Sequence, residues 1–536
     1  MTAAPAVGNS VVSHRRVADR QATHPFGLLP QPPDDGEKYA YIRRRLWVLT
    51  CCSLVSFGCL TASQFLLAQS SRWLWGCVPI LAFTILYYLT SLRVNAFTPD
   101  FSLAVHQQLV RSWRPRVYPT VDVFLPVCGE PIEVLHNTWA HVSRMVRCYA
   151  GTVAVYVLDD SDSPELAGMA ADFGFVYGSR PNRGWFKKAG NLQYGFNRSH
   201  GQYIVILDAD FAPRADLLDE LLPYLEADPR VGIVQSPQFF RVLNQQNWVE
   251  RGAGAVQELF YRAVQVSRQD NDGAICVGSC AVYRRAALAQ NGGTTLIEHS
   301  EDVHTGFDLR RLGWKLRYVP IALATGLCPD TVGAFQNQQY RWCAGSISLL
   351  CSAKFWQTEL RLSTRLCYLS GFFYYIHTAL FTFVAPLIPI TLLLAMPERV
   401  QLDNARLIIP SLIYTTMIFP LWHRCPYRLE AWAARMMYGW AHFFAIWDVT
   451  RRRRMSWRPT GSATSKRRVA RRFSVGVTVW GGGTALVWVL VALWRMLTAD
   501  PADFALLLSA GLFYSLIVAR ILVEPRTDEL EMNKNR

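Results

Sequence analysis

Charged residues are scarce in this sequence. Asp, Glu, Lys and Arg together make up 18% of the 536 residues, whereas 51% are hydrophobic and the mean hydropathy is +0.11. A water-soluble protein of this length usually carries more charge. The composition therefore argues against an entirely soluble protein and predicts segments that span a membrane.

Paired cysteine spacings are also missing. The thirteen cysteines are scattered along the chain, and the motif CVGSC, with Cys276 and Cys280, has no cysteine or histidine cluster beside it to complete a zinc site. We expect reduced, buried cysteines. The residues before Tyr41 are polar and contain no apolar stretch with a cleavage site, so we expect no signal peptide.

Acidic residues are outnumbered, with 40 Asp and Glu against 55 Lys and Arg, which gives a net charge of +15. The basic segments YIRRRLW, TRRRRMSWR and SKRRVARRF each lie beside an apolar run. Positive charge at such places is typical of the cytoplasmic loops of membrane proteins. The distribution of charge therefore argues against a nucleic-acid-binding protein.

Apolar runs long enough to cross a bilayer predict six spans, with both termini, the large domain and the basic loop on the cytoplasmic side. The segment Tyr427–Val449 contains Glu430, Arg435, His442 and Asp448, which predicts an amphipathic helix at the membrane surface. The predicted organisation is a partly disordered cytosolic segment 1–45, a transmembrane hairpin 46–92, a cytosolic α/β domain 93–345, an interfacial helix 346–365, two spans 366–422, an interfacial helix and basic loop 423–472, two spans 473–523 and a cytosolic tail 524–536.

Short β-branched segments alternate with helical patterns in the large domain. TVDVFLPV, TVAVYVLDD, QYIVILDAD and VGIVQSP are predicted strands, and ADLLDELLPYLEA is a predicted helix between two of them. This alternation predicts an α/β domain with a mainly parallel sheet, in which ligands bind beyond the carboxyl ends of the strands. Asp159, Asp160, Asp208 and Asp210 lie at two such ends.

Three of the polar residues in this domain suit phosphate chemistry. Asp208 and Asp210 are spaced to hold Mg²⁺ or Mn²⁺, which take further oxygen ligands from substrate phosphates. An Asx turn or a helix cap is the alternative for these carboxylates. Lys188, in KKAGN, is either a diphosphate ligand or an ordinary surface lysine.

Two further motifs suit catalysis or membrane contact. Glu301 and Asp302 precede an amphipathic helix, where they serve either as favourable charges at the helix N-terminus or as a catalytic base. In QNQQYRWCAG, the residues Gln338, Arg341 and Trp342 share one helix face. Arg and Trp also favour membrane interfaces, so an anchoring role is the alternative.

Taken together, the motifs resemble those of a known family. LPVCGEP, VLDDSD, KKAGNL, LDADFAP, VQSPQFF, CVGSCAVYRR, HSEDVHTGFDLRRLGWKLRYVP and QQYRW follow the order and the approximate spacing of the processive family 2 glycosyltransferases, above all the cellulose synthase group. The resemblance implies an α/β GT-A domain inserted in a polytopic membrane protein of about six transmembrane helices. It further implies a UDP-sugar donor, Mg²⁺ or Mn²⁺, and inverting, processive transfer that extends a cellulose-like β-linked glucan and moves it across the membrane.

The resemblance also implies a role for each candidate residue. The metal would be bound by Asp210 and Asp208, and the catalytic base would be Asp302, with Glu301 beside it. The nucleotide-sugar, most closely UDP-glucose, would be bound by Asp159, Asp160, Lys188, Asp208, Arg341 and Gln338. The acceptor sugar would be bound by Trp342, Gly278 and Ser279.

The chain departs from the family pattern in several places. The gating loop of cellulose synthases has the form F-x-V-T-x-K, whereas SWRPTGSATSK matches it at Trp457 and Thr460 and displaces the lysine to Lys466. Ser300 replaces the threonine of the T-E-D motif. We also expect no PilZ domain after the last span, and hence no activation by cyclic-di-GMP within this chain.

The resemblance places the protein in the plasma (inner) membrane as a multi-pass protein, with its catalytic domain in the cytoplasm and with accessory export subunits or a homo-oligomer as further partners. Two alternatives stay open. A synthase of the same architecture would make a β-1,3 or mixed-linkage glucan or an N-acetylglucosamine polymer. A transporter or receptor with an inactive transferase domain is the second, although the intact carboxylates argue against it.

Overall fold

A computed structural model describes residues 29–96, 98–400, 406–452 and 467–523. In these ranges the strands are β1 Val121–Val127, β2 Val153–Asp159, β3 Val176–Ser179, β4 Tyr203–Ile206, β5 Ala212–Pro213, β6 Val231–Gln235, β7 Ala281–Arg284, β8 Lys315–Tyr318 and β9 Ala324–Thr325. Seven of them form one sheet in the order β3-β2-β1-β4-β7-β6-β8, and β5 pairs with β9 in a second, small sheet.

The large sheet is mixed, with a parallel half that carries the polar strand ends. Strands β3, β2, β1 and β4 are parallel to one another, while β7 runs antiparallel to both of its neighbours, β4 and β6. Val127 at the end of β1 pairs with Asp159 at the end of β2. The parallel strands therefore end at one edge, and the predicted α/β domain with a mainly parallel sheet is confirmed.

Helices cover both faces of this sheet and continue into a separate apolar group. The α-helices of the described ranges are α1 Asp35–Lys38, α2 Leu46–Ser70, α3 Val78–Asn95, α4 Leu103–Ser112, α5 Ile132–Cys148, α6 Pro164–Asp172, α7 Lys187–Phe196, α8 Leu217–Ala227, α9 Trp248–Leu259, α10 Gln265–Asp270, α11 Arg285–Asn291, α12 Glu301–Arg311, α13 Val332–Leu350, α14 Ala353–Gln357, α15 Leu362–Val384, α16 Leu387–Ala395, α17 Ile409–Ile413, α18 Phe419–Trp422, α19 Leu429–Thr450, α20 Arg467–Gly476, α21 Gly483–Thr498 and α22 Pro501–Leu522. Strand β4 is buried along its whole length because helices pack on both sides of it.

Five helical segments are long and apolar enough to cross a membrane by length and composition: Leu46–Ser70, Leu74–Asn95, Leu362–Ala395, Arg472–Thr498 and Pro501–Leu522. The third joins α15 and α16 through a turn at Pro386, where the proline lacks the N–H that a continuous helix needs. The sixth predicted span corresponds to a shorter apolar helix, Ile409–Trp422.

Helix α19 was predicted to lie on the membrane surface because it contains several charged and polar residues. In the structure it is enclosed by α9 and α13 of the sheet domain and by the apolar helices α15 and α22. Its polar residues find partners there: His442 lies 2.7 Å from the Thr378 hydroxyl, and Glu430 forms an ion pair with Arg251 at 2.8 Å. These internal partners take the place of water around the polar groups. The predicted position of α19 at the membrane surface stays a prediction.

The predicted boundary at residue 345 falls inside α13, so one continuous helix leads from the sheet domain towards α14 and the long apolar segment α15.

All thirteen cysteines are free, and Cys276, Cys280, Cys328, Cys343 and Cys367 are buried. The expectation of buried cysteines holds for these five only, since four others, Cys51, Cys77, Cys148 and Cys351, are exposed.

A buried ion pair joins the sheet domain to the apolar helices. The Arg262 guanidinium donates to Glu258 at 2.7 Å and to the Trp422 carbonyl at 2.8 Å. Glu258 in turn accepts from the backbone N–H groups of Arg424 at 2.8 Å and Cys425 at 3.1 Å. Because Glu258 and Arg262 are both buried, each of the two charges is stabilised mainly by the other.

We predict that Glu258→Ala destabilises the protein by roughly 3–5 kcal/mol, because it leaves Arg262 buried without a carboxylate. The check is the apparent melting temperature of the purified protein in detergent. The matched control is Arg230→Ala, which removes an ion pair with Asp228 in which the arginine is 70% exposed, and which we expect to change little. Equal melting temperatures for the two variants would contradict the prediction.

Candidate functional site

The carboxyl edge of the parallel strands gathers acidic side chains from separate parts of the chain. Glu130 follows β1, Asp160 follows β2, and Asp208 and Asp210 follow β4. Helix α12 begins with Glu301 and Asp302 and brings them to the same place, as the ion pairs described below establish. The alternation of strands and helices thus assembles an acidic site that local sequence cannot build.

Asp159 shapes the loop after β2. One carboxylate oxygen accepts from the Ser161 N–H at 2.7 Å and the Ser161 hydroxyl at 2.5 Å, and the other accepts from the Ser163 N–H at 2.9 Å and the Tyr177 hydroxyl at 2.9 Å. Both oxygens of this buried group are therefore engaged within the chain. Its predicted contact with a nucleotide stays a prediction.

Asp160 forms a bidentate ion pair with Arg180, at 2.5 and 2.6 Å. The buried Arg180 also donates to the carbonyls of Trp185 at 2.7 Å and Lys187 at 3.0 Å, and so holds the loop that leads to Lys188. Arg180 was missed in the sequence. The available signal was its position directly after β3, at the same edge as the acidic strand ends.

Lys188 lies at the centre of the acidic group. Its ammonium is paired with Asp208, donates to the Gly278 carbonyl at 3.2 Å and lies 3.6 Å from Glu301. Burial lowers the pKa of Lys188, but the carboxylates of Asp208, Glu301 and Asp302 outweigh burial and raise the pKa above its usual value. The surface-lysine alternative is therefore wrong, and Lys188 is a charged group inside the site.

Asp302 has the properties of a proton acceptor near neutral pH. Burial, followed by the charge of Glu301, raises its pKa to about 7, although Lys188 opposes the shift. One carboxylate oxygen accepts from the Val303 N–H at 2.8 Å. Gly278 lies against the other oxygen, since a Cβ added to Gly278 would come within 2.8 Å of it.

Asp210 and Glu130 form a second pair of carboxylates with raised pKa values. Burial raises the pKa of Asp210 to about 7, with Asp208 and Glu130 adding to the shift. Burial also raises the pKa of Glu130 to about 7, and Asp208 and Asp159 contribute. Glu130 was missed in the sequence, although LPVCGEP places it directly after β1.

The oxygen donors at this edge fit a hard divalent cation. No group of three His, Cys, Asp or Glu side chains that would hold a metal ion by itself occurs within the described ranges. Asp208 and Asp210 are hard oxygen donors, and their mutual repulsion raises the pKa of Asp210. A Mg²⁺ or Mn²⁺ ion would relieve this repulsion and take its remaining ligands from a diphosphate and water.

Helix α13 packs on α12 at the site and on the apolar helix α15 on another side. Arg341 is buried enough to lower its pKa, while the charges of Glu301, Asp208, Asp302 and Asp210 act in the opposite direction. The charge of Arg341 is therefore favoured by the same carboxylates that favour the charge of Lys188. Gln338 and Trp342 are half-buried on the same helix.

Ser279 and the three predicted gating-loop residues are the other candidate residues of the site. The buried Ser279 hydroxyl accepts from the Asp208 N–H at 3.0 Å, so it supports the turn after β4. Its predicted contact with an acceptor stays a prediction. Trp457, Thr460 and Lys466 lie outside the described residues.

Comparison with known proteins gives a consistent result. Residues 203–422 match the family model described as glycosyl transferase family group 2. Cellulose synthase 1 of Komagataeibacter xylinus is 33% identical over 261 residues, which are 48% of this chain and 17% of that protein. The cellulose synthase catalytic subunit (UDP-forming) of Xanthomonas axonopodis pv. citri is 30% identical over 270 residues, which are 49% of this chain and 36% of that protein.

Among solved structures, a mannosyltransferase from Pyrobaculum calidifontis in complex with GDP-Man and Mn²⁺ is similar, with 15% identity and a TM-score of 0.47 over 68% of this chain and 97% of that one. The match to the curated relatives extends over roughly a sixth to a third of their length.

The mixed sheet carries acidic residues after the carboxyl ends of its parallel strands, as expected for the α/β domain that the motifs imply. More particularly, residues 203–422 are similar to the family 2 glycosyltransferases, and the curated relatives matched over about half of the chain are cellulose synthases. The resemblance inferred from the motifs is confirmed at this level.

We predict that Gly278→Ala strongly reduces sugar transfer while the protein still folds. Gly278 has a φ of +75°, and an added methyl group would press on Asp302. The matched control is Gly168→Ala, in helix α6, where an added Cβ meets nothing within 4 Å. Release of nucleotide from a sugar-nucleotide donor measures the effect, and equal activity of both variants would contradict it.

Proposed function

We propose that the protein is a membrane-embedded, processive, inverting glycosyltransferase that polymerises UDP-glucose into a cellulose-like β-linked glucan and passes the product across the membrane. The observation that carries this proposal is that Lys188 donates to the carbonyl of Gly278, which packs on Asp302, while the backbone of Arg341 is joined to Ser300, two residues before Asp302. A base and two diphosphate-binding cations are the groups that transfer from a nucleotide-sugar requires.

The donor would bind along the carboxyl edge of β1, β2 and β4. Lys188 and Arg341 face the place where a diphosphate would lie, and the loop held by Arg180 and Asp160 borders it. Asp208 and Asp210 would hold Mg²⁺ or Mn²⁺, which supplies charge neutralisation at the departing diphosphate. Asp159 keeps this loop in place for the nucleoside.

The transfer itself needs one proton acceptor. Asp302 accepts the proton of the acceptor hydroxyl as that oxygen bonds to the anomeric carbon, and the bond between this carbon and the UDP oxygen breaks on the opposite side. Lys188 and Arg341 stabilise the negative charge that grows on UDP. Because a single displacement inverts the anomeric carbon, an α-linked donor gives a β-linked product.

The acceptor end of the chain would lie on α13. Trp342 offers a flat apolar face to the C–H groups of a sugar ring, and Gln338 lies one turn earlier on the same helix. Helix α13 leads through α14 to the long apolar segment Leu362–Ala395. A polymer extended at Trp342 would therefore start at the entrance to the membrane helices.

The curated relatives support this choice of substrate. They are cellulose synthases, and several carry the description UDP-forming. The five apolar helices and the basic segments beside them support a multi-pass protein of the plasma membrane with its sheet domain in the cytoplasm. Accessory export subunits or further copies of the chain would complete the exporting assembly.

The proposal is tested by incubating purified protein with UDP-glucose, or with UDP-N-acetylglucosamine, and Mg²⁺ or Mn²⁺. Any polymer is then digested with hydrolases specific for β-1,4 or β-1,3 linkages. We expect long, β-1,4-specific polymer from UDP-glucose. A single-sugar product, a different linkage, or no metal-dependent release of UDP would each contradict the proposal.

We predict that Asp302→Asn abolishes polymer synthesis, because an amide cannot accept the hydroxyl proton, with a loss of at least about a hundredfold. Incorporation of radiolabelled glucose into polymer is the measurement. The melting temperature of the variant, which we expect to match that of the wild type, is the control. Retained synthesis by a folded Asp302→Asn protein would disprove the role of Asp302 as base.

We predict that the rate of polymer synthesis rises from pH 6 to pH 8 with a midpoint near 7. The pKa of Asp302 is raised to about 7, so the carboxyl is protonated and unable to act as base below this pH and is ionised above it. Initial rates are measured at saturating donor and metal. A rate that is flat or falls across this range would contradict the prediction.

A further inference from the structure

Helix α13 is packed directly against the start of α12, which carries Asp302. The Ser300 hydroxyl donates to the Arg341 carbonyl at 3.2 Å. One turn further along α13, Gly345 lies so close to Ser300 that a Cβ at this position would overlap its side chain. Any rotation of α13 about its axis would therefore move Arg341 and Trp342 relative to the catalytic base.

A second face of the same helix contacts α19. The Tyr340 hydroxyl donates to the Asp448 carboxylate at 3.2 Å, and Cys343, one turn further, lies with its sulfur 3.7 Å from the His442 carbonyl. Residues three apart share a helix face, so Tyr340 and Cys343 mark one continuous contact. Both side chains are buried.

Asp448 is a buried carboxylate that depends on few partners. It is 5% exposed. One oxygen accepts from Tyr340, and the other has no hydrogen bond and lies 3.9 Å from the Arg472 guanidinium of α20. A buried carboxylate without hydrogen bonds costs free energy, so the Tyr340 hydroxyl is strongly favoured in the position where it donates to Asp448.

Helix α19 is itself fixed to the membrane helices. The His442 ring accepts or donates a hydrogen bond at 2.7 Å with the Thr378 hydroxyl of α15, and Gly439 allows close approach to Thr382 of the same helix. Asp448 therefore gives α13 a contact on a helix that is tied to the apolar segment α15 as well as to the sheet domain.

We infer that Tyr340 and Asp448 are positioning residues for the acceptor: their hydrogen bond fixes the rotation of α13 and thereby holds Trp342 and its sugar in line with Asp302. The inference rests on the proposed function. Tyr340 occupies a variable position of the pattern Q-x-x-R-W. The positioning role is therefore inferred from the contact between Tyr340 and Asp448 and not from the motif. The donor is also held by Lys188, which lies on α7, so its binding depends only in part on α13.

This separation has a measurable consequence. If the hydrogen bond is lost, the donor still binds, but the acceptor hydroxyl is misplaced and water competes for the anomeric carbon. Glucose from UDP-glucose then bonds to a water oxygen, Asp302 takes the water proton and UDP leaves. Hydrolysis of the donor continues while extension of the polymer falls.

The test uses the full chain in lipid nanodiscs with UDP-glucose and Mg²⁺. For Tyr340→Phe and Asp448→Asn, UDP release and glucose incorporation into polymer are measured in parallel. We expect the ratio of incorporated glucose to released UDP to fall about tenfold in Tyr340→Phe, as for loss of one hydrogen bond to a charged group, with a smaller rise in KM for the donor because Lys188 on α7 still binds it. Asp448→Asn keeps an oxygen that accepts from Tyr340, so we expect a smaller fall.

The matched control is Tyr149→Phe, which removes a buried tyrosine hydroxyl that donates to the Pro119 carbonyl at 2.9 Å on another part of the domain. We expect its ratio to equal that of the wild type. The inference is overturned if UDP release and incorporation fall together in Tyr340→Phe, or if Tyr149→Phe lowers the ratio equally. A wild-type protein that releases UDP without forming polymer would overturn the proposed polymer synthesis, and this inference with it.

Discussion

The structure of the site depends on one constraint, which is the burial of several negatively charged carboxylates at one edge of the sheet. Besides Asp159 and Asp160, which neighbouring groups bind, five carboxylates converge there: Glu130, Asp208, Asp210, Glu301 and Asp302. Burial and mutual repulsion raise the pKa values of three of them to about 7. Lys188 and Arg341 supply positive charge from two helices that are distant in sequence, so the site exists only when the complete domain has folded.

The backbone around these carboxylates is held in unusual conformations. Eight non-glycine residues in the described ranges have positive φ angles, and five of them flank the site: Asp162, Phe186, Lys187, Cys280 and Ser300. Each such conformation costs of order 1 kcal/mol and persists only where surrounding contacts enforce it. The hydrogen bonds of Arg180 to the carbonyl of Lys187 and of Ser300 to that of Arg341 are contacts of this kind. Backbone strain is therefore concentrated around the site, where the side chains must be held in fixed orientations.

The sequence allowed prediction of the groups at strand ends but not of their supports. Asp160 and Asp208 were found because a β-branched run that ends in acidic residues is a local pattern, and parallel strands end together. Arg180 and Glu130 were missed because their roles depend on partners that only the folded sheet brings near. The partners of the polar residues of α19 could not be predicted either, because Arg251, Thr378 and Tyr340 lie far from this helix in the sequence and reach it only in the fold.

The charge balance also links the donor to the acceptor helix. A nucleoside diphosphate brings further negative charge to an edge that already holds five carboxylates, and Lys188 is engaged by Asp208. The donor must therefore bind together with additional positive charge, and Arg341 is one source of it. Because Arg341 lies next to Trp342 on α13, attraction between the diphosphate and Arg341 draws the acceptor platform towards the base. Binding of the donor and placement of the acceptor are in this way coupled through one helix.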